Sequence, residues 1–129
     1  MYGFHAKLDL PFDEAVERVM AALKQEGFGV LSDIDVRGAM KEKLGLDMPA
    51  YRILGACNPP LAHKALQADP DIGLLLPCNV VVRQEGEGRV TVAFVDPMGM
   101  MELVKQPVVQ EVAEDAARRL RRVCESLGR

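Results

Sequence analysis

Residues 78–95, CNVVVRQEGEGRVTVAFV, hold two apolar runs separated by Glu85-Gly86-Glu87-Gly88. β-Branched and aromatic side chains suit a pleated surface, and a short Gly-containing break between two such runs spells a hairpin. Antiparallel strands from Cys78 to Gln84 and from Arg89 to Val95 are therefore expected. Val80-Val81-Val82 and Val92-Ala93-Phe94-Val95 are apolar on both faces instead of alternating. A strand of that kind belongs in a sheet with both faces covered.

Upstream of this hairpin, Tyr51 to Cys57 reads as another strand, with Ile53-Leu54 again apolar on both faces. Asn58 to Ala68 reads as a short helix, with Asn58 as N-cap, Pro59 in the first turn, and Leu61, Ala62, Ala65 and Leu66 on one face. Asp69-Pro70-Asp71 stops it, because the residue before a proline avoids helical geometry. Phe28 to Val36 is expected to be a strand, with Phe28, Val30, Ile34 and Val36 on one side and Leu31, Asp33 and Asp35 on the other. Residues 37–50 form a short helical or irregular connection.

Residues 2–8 alternate, Tyr2, Phe4, Ala6 and Leu8 against Gly3, His5 and Lys7, as a half-buried strand does. A helix follows from Pro11 to Gln25 on the stripe Phe12, Ala15, Val16, Val19, Met20 and Leu23, and Gly27 is placed to end it. After a loop over 96–106, Pro107 to Leu127 carries the longest amphipathic stripe, running from Val109 through Leu120 to Leu127.

The order β-α-β-β-(α)-β-β-α implies an α+β two-layer sandwich: a mostly antiparallel sheet with the long helices on one face, in a single domain over residues 1–129. The second face of such a sheet meets water unless something covers it. A second copy of the chain is the economical cover, so a homodimer through the sheet face is expected. The alternative is that the 37–50 connection and the 96–106 loop fold over that face.

Composition narrows the function classes. The 129 residues are 49% hydrophobic and 27% charged, a globular composition large enough for its own core. Aromatics are only 5% and Trp is absent, so the core is aliphatic. A net charge of −3 with no basic block argues against a nucleic-acid partner. Arg118, Arg119, Arg121 and Arg122 cluster near the end of the last helix, where cations complement its dipole and acids occupy its start. No apolar run reaches the ~20 residues needed to cross a bilayer, which argues against a membrane role. MYGFHAKLDL lacks the form of a signal peptide, and three cysteines, an odd number, read as thiols. A small soluble cytoplasmic protein is expected.

Two motifs, ILGACNPPLAHKAL at 53–66 and LLLPCNVVV at 74–82, resemble those of the family called domain of unknown function 302. EGFGV at 26–30, DID at 33–35 and VDP at 95–97 extend the resemblance over nearly the whole chain. The resemblance implies a compact two-layer α/β domain, similar in topology to one repeat of the TATA-box-binding protein and commonly dimeric. It implies no reaction, and topology by itself carries no DNA binding.

The dipeptide Cys-Asn occurs twice, at Cys57-Asn58 and Cys78-Asn79. Cys57 closes a strand just before a helix N-cap, where unpaired N–H groups favour a thiolate. If strands three and four are antiparallel, the end of one lies beside the start of the other and the two cysteines approach. Three functional readings follow. One is a small-ligand or ion pocket lined by Cys57, Asn58, Cys78 and Asn79 and walled by Leu74 to Leu76. A second is a redox pair, whose bridge would close a loop of about 20 residues, worth roughly 3 kcal/mol. A third is a soft-metal site for Cu(I), with thioethers from Met98, Met100 and Met101. Against these stands a structural reading, in which the cysteines are small core residues and the asparagines serve a cap and a turn.

Other candidates are poorer. His63 in C-x5-H has no zinc spacing and lies on the polar flank of its helix. His5 is distant, so a thiol hydrolase lacks a base. Asp33 and Asp35 read as a solvated face, Cys124 as core, and Gly86, Gly88 and Gly99 as no phosphate loop. No cofactor-binding pattern is present.

Overall fold

The computed structural model describes residues 2–100 and 103–128. β1 (Gly3–Leu8), β2 (Gly29–Asp35), β3 (Tyr51–Cys57), β4 (Cys78–Gly86) and β5 (Arg89–Val95) form one open sheet. Its order is β1-β5-β4-β3-β2, and every neighbouring pair is antiparallel. β1 and β2 therefore run the same way at opposite edges, and α1 (Phe12–Gln25) joins them across the sheet. α2 (Val36–Leu44) follows β2, α3 (Pro59–Ala68) follows β3, and α4 (Pro107–Leu127) closes the chain. The expected α+β two-layer sandwich is the fold observed.

The helix-facing side of the sheet and the stripes of α1 and α4 make the main core. Leu54, Val80, Val82, Val92 and Phe94 point from the strands toward Val19 and Leu23 of α1 and Leu120 and Val123 of α4. All of these are almost fully buried. Phe94 stacks on Phe4 of β1, with ring centroids 5.4 Å apart. A second, smaller core of Ala65, Ile72 and Val109 lies where α3, the 3-10 turn Pro70–Leu75 and the start of α4 meet.

Two sequence expectations need correction. The alternation of Phe28, Val30, Ile34 and Val36 implied one shared face, but a bulge between Val30 and Ser32 shifts the register. Val30 then pairs with Ala56 on the helix side, whereas Ile34 pairs with Ile53 on the other face. An extra residue in one strand reverses every side chain beyond it. Val36 no longer belongs to the strand, because the Asp35 side chain accepts from the Gly38 N–H and starts α2 there.

Of the segments proposed as an alternative cover for the second face, the 3-10 turn of the 96–106 loop lies on the other side, while α2 packs against β3. Pro97 and Met100, in the 3-10 turn Pro97–Met100, sit on the helix side, and α2 buries none of its residues. Met101 and Glu102 lie outside the described residues. One row of side chains crosses all five strands on the side opposite α1 and α4: His5, Ala93, Val81, Ile53 and Ile34.

Candidate ligand-binding cavity

α3 begins where β3 ends because Asn58 turns the chain. Its Oδ1 accepts from the Leu61 N–H at 3.3 Å, and Pro59 occupies the first turn, where a missing N–H costs nothing. Asn58 is buried, and its Nδ2 donates to the Glu26 carbonyl at 3.5 Å. The same carbonyl accepts from Arg119 Nη1 at 3.0 Å, and the Glu26 carboxylate accepts from Arg122 Nε at 3.0 Å. Gly27 next to it has φ +85°, and a Cβ there would come within 2.9 Å of Asn58 Nδ2. Arginines of the basic cluster thus serve the structure: Arg119 also binds Asp115, and Arg121 reaches Asp96 while lying 4.4 Å over the Phe4 ring.

β3 and β4 are antiparallel, with Ala56 opposite Cys78. Cys57, one residue further, stands diagonally beside Cys78, as expected for two strands whose end and start meet. Both border one cavity of about 70 Å³ between the sheet, α3 and α4. Phe28 and Ala56 line its sheet side, Leu61, Ala62 and Ala65 come from α3, and Val109, Val112, Ala113 and Ala116 from α4. Small alanines where α3 meets α4 leave the space. Ile72, Leu75, Leu76, Pro77, Pro97 and Met100 complete the lining. The peptide bond between Leu76 and Pro77 is cis.

The wall is almost wholly apolar. Asn58 supplies its one amide, and both ends of that amide are already engaged. Outside, Lys64, Glu111, Asp115 and Arg118 line a charged groove that shares Leu61 and Val112 with the cavity. Gln106 Nε2 donates to the Ala68 carbonyl at 2.7 Å, holding the start of α4 against the end of α3.

Of the four residues expected at this site, the fold brings three together. Cys57, Asn58 and Cys78 border the cavity, while Asn79 does not. Asn79 is exposed on the opposite face, paired with Gly55, because neighbouring residues of a strand point to opposite sides. Leu75 and Leu76 line the wall as expected, but Leu74 is 86% exposed. Of the methionines, Met100 borders the cavity, Met98 is exposed, and Met101 lies outside the described residues.

Desolvation opposes the thiolate expected at Cys57. Burial raises the Cys57 thiol, and it pushes Cys78 up to about 11, with the nearby Cys57 adding to the shift. Burial thus disfavours the charged form of both thiols. All three cysteines are free. Cys124 is half-buried against the core, with Sγ 3.4 Å from the His5 carbonyl. His63 is exposed, and Asp33 is bound by Arg52, which holds its carboxyl below the usual range. Among the described residues, no three His, Cys, Asp or Glu side chains gather closely enough to hold a metal ion.

Residues 4–127 match the family described as Domain of unknown function DUF302. The chain belongs to this family. A solved structure of an uncharacterized conserved DUF302 protein from Bacillus stearothermophilus superimposes with a TM-score of 0.88 at 33% identity, covering 98% of each chain. Proteins of Brucella suis and Brucella abortus, each called Fluoride-specific ion channel FluC 1, are 32% identical over 84 residues, 65% of this chain. The chain spans about a third of the length of these curated relatives, 33% and 31% respectively. No helix among its described residues is long and apolar enough to cross a membrane.

The cavity residues of this DUF302 domain that sequence reasoning missed are Phe28, Ile72, Pro97 and those of α3 and α4. Their signal was present in the alanines at 62, 65, 113 and 116, which read as ordinary helix formers until α3 and α4 are seen to meet there.

Proposed function

We propose that this DUF302 domain is a binding module for a small, largely apolar ligand or a soft ion, held in the cavity bordered by Cys57, Asn58 and Cys78. The observation that carries this reading is the apolar cavity itself, bounded by two thiols whose charged form burial disfavours and an amide already spent on structure. Such a site has no general base and opposes an ionised nucleophile, which disfavours thiol catalysis. Apolar voids attract apolar guests, because water gains no hydrogen bonds inside them.

Xenon is a suitable first probe. Under xenon pressure, methyl NMR signals of Leu61, Ala65, Val109 and Val112 are expected to shift saturably, and Ala113→Leu, which fills the space, is expected to abolish the shift. Unchanged signals in the folded wild-type protein would reject the cavity as a binding site.

The protein acts as a homodimer in this reading, through the sheet face opposite α1 and α4. The row Ala93, Val81, Ile53 and Ile34 supports it, since Ile34 is 51% exposed and the others are half-buried. Lys7, Arg83 and Glu85 give the rim both signs of charge, which suits a second copy related by a twofold axis. Three free thiols support a reducing compartment, the cytoplasm. The likeness to part of the Brucella proteins supports a unit that can stand beside others in a longer chain. Channel activity belongs to those proteins.

A further inference from the structure

α2 is a helix with both ends finished and no core beneath it. The Asp35 side chain accepts from the Gly38 N–H at 2.9 Å, and Gly45, at φ +67°, ends the helix with its N–H on the Lys41 carbonyl at 3.0 Å. Helices shorter than about 12 residues are marginal alone in water, and packing of an apolar face supplies most of their stability. α2 has nine residues, and none of them is buried. Val36 and Ala39 are half-buried but belong to neither core, so α2 meets β3 outside the layer made by α1 and α4. Met40 and Leu44 stand one turn apart on one face of the helix, and Leu44 is 63% exposed. Five of the ten large hydrophobic side chains exposed among the described residues fall within residues 31–46: Leu31, Ile34, Met40, Leu44 and Leu46. Resting on the reading of the sheet face as a dimer interface, we propose that this β2–α2 patch belongs to the same interface and is covered by a second copy of the chain.

Area, continuity and charge favour a second copy as the cover. A stable interface buries about 800 Å² on each partner. On the sheet-face row Ile53, Val81 and Ala93 are already half-buried, so that row by itself falls short of such an area. The patch adds side chains that are mostly exposed, with Leu31 at 73%. It is continuous with the row because Ile34 belongs to both: Ile34 pairs with Ile53 and directly precedes Asp35, the cap of α2. β2 is an edge strand whose bulge between Val30 and Ser32 hinders edge-to-edge pairing, so the contact is made by side chains. Around the patch, Arg37, Lys41 and Lys43 stand among Asp33, Asp35, Glu42 and Asp47. A twofold contact sets a surface against itself: a patch of one sign repels its copy, whereas a mixed one can pair with it. In the dimer α2 gains the burial that its own chain does not give it.

The test is sedimentation of the full chain over a concentration series, with hydrogen exchange of the parent followed at the dilute and concentrated ends. Leu31→Glu and Leu44→Glu replace side chains that already face water, so circular dichroism at the dilute end is expected to match the parent. Each is expected to weaken dimerisation by roughly tenfold or more. Leu74→Glu, at an exposed leucine of the 3-10 turn Pro70–Leu75, is expected to dimerise as the parent does. In the parent, the amides of α2 are expected to exchange more slowly in the concentrated sample, which reads the proposal without any substitution. Parent-like dimerisation by both β2–α2 variants, or α2 exchange that does not change while the parent dimerises, overturns the proposal. If Val81→Glu dissociates the dimer and these two variants do not, the patch falls and the sheet-face dimer stands. If the parent sediments as a monomer throughout, both fall.

Discussion

Arg119 of α4 donates to the backbone carbonyl of Glu26 at 3.0 Å, and Asn58 of α3 donates to the same oxygen at 3.5 Å. One carbonyl at the end of α1 thus joins three helices. Each bond is modest because unfolding returns the groups to water, but the oxygen is part-buried and needs at least one partner. Arg119→Met is expected to cost about 1 kcal/mol. Asn58→Ala, which also removes the α3 cap, is expected to cost about 2 kcal/mol. Losing both leaves the carbonyl bare, so in urea unfolding the double variant should lose more stability than the sum of the two single losses.

Gly27 beside that carbonyl is expected to be intolerant. Its φ of +85° disfavours a side chain, and the Cβ of alanine would press on Asn58 Nδ2 at 2.9 Å. Gly27→Ala should lower stability by roughly 1–3 kcal/mol in thermal or urea unfolding. An unchanged midpoint would mean that the turn can relax.

Stability should fall in alkali through Cys78. Its thiol is pushed up to about 11 by burial, so between its ordinary value and that point the folded chain holds a proton that the unfolded chain has released. The contribution is present in full below the unfolded value and is lost as pH rises through the folded one. Its size is on the order of 2 kcal/mol. Cys78→Ala should show less alkaline loss than the parent when urea midpoints at about pH 8 and about pH 10.5 are compared.

Thiol accessibility should follow depth. Cys57 and Cys124 are half-buried and Cys78 is buried. A small alkylating reagent is expected to modify Cys57 and Cys124 in the folded protein and Cys78 only on unfolding, as read by peptide mass spectrometry over time. Early modification of Cys78 would show that the wall opens readily.

The sheet face predicts an association state. Val81→Glu puts a charge at the centre of the apolar row of Ile53, Val81 and Ala93. Sedimentation should report a dimer for the parent and a folded monomer for the variant. A monomeric parent at high concentration would remove the dimer from the reading.

Much of this arrangement is legible in the residues, and the failures have physical causes. The stripes of α1 and α4 and the apolar runs of β3, β4 and β5 identify their elements because burial imposes period. The Glu87-Gly88 turn is equally plain, with Gly88 at φ +68° where the hairpin needs it. The β2 bulge is invisible in this way: Val30 and Ile34 keep the spacing of one face, and only pairing with β3 reveals the slip. Asn79 is different, since strand alternation alone could have separated it from Cys78. A pocket beside Cys57 and Cys78 was expected, but its helical wall was out of reach because it depends on how α3 and α4 meet, four small residues that no local pattern brings together.

β1 is synthesised before every other strand, yet its one partner is β5, with Ala6 opposite Val92 and Leu8 opposite Val90. The β4–β5 hairpin closes locally and quickly, whereas β1 waits until most of the chain exists before it can pair. On a ribosome β1 therefore emerges unpaired, with one apolar side, and the sheet is completed only once β5 has been made. Its protection during that interval falls to α1, which is made next and carries a matching stripe.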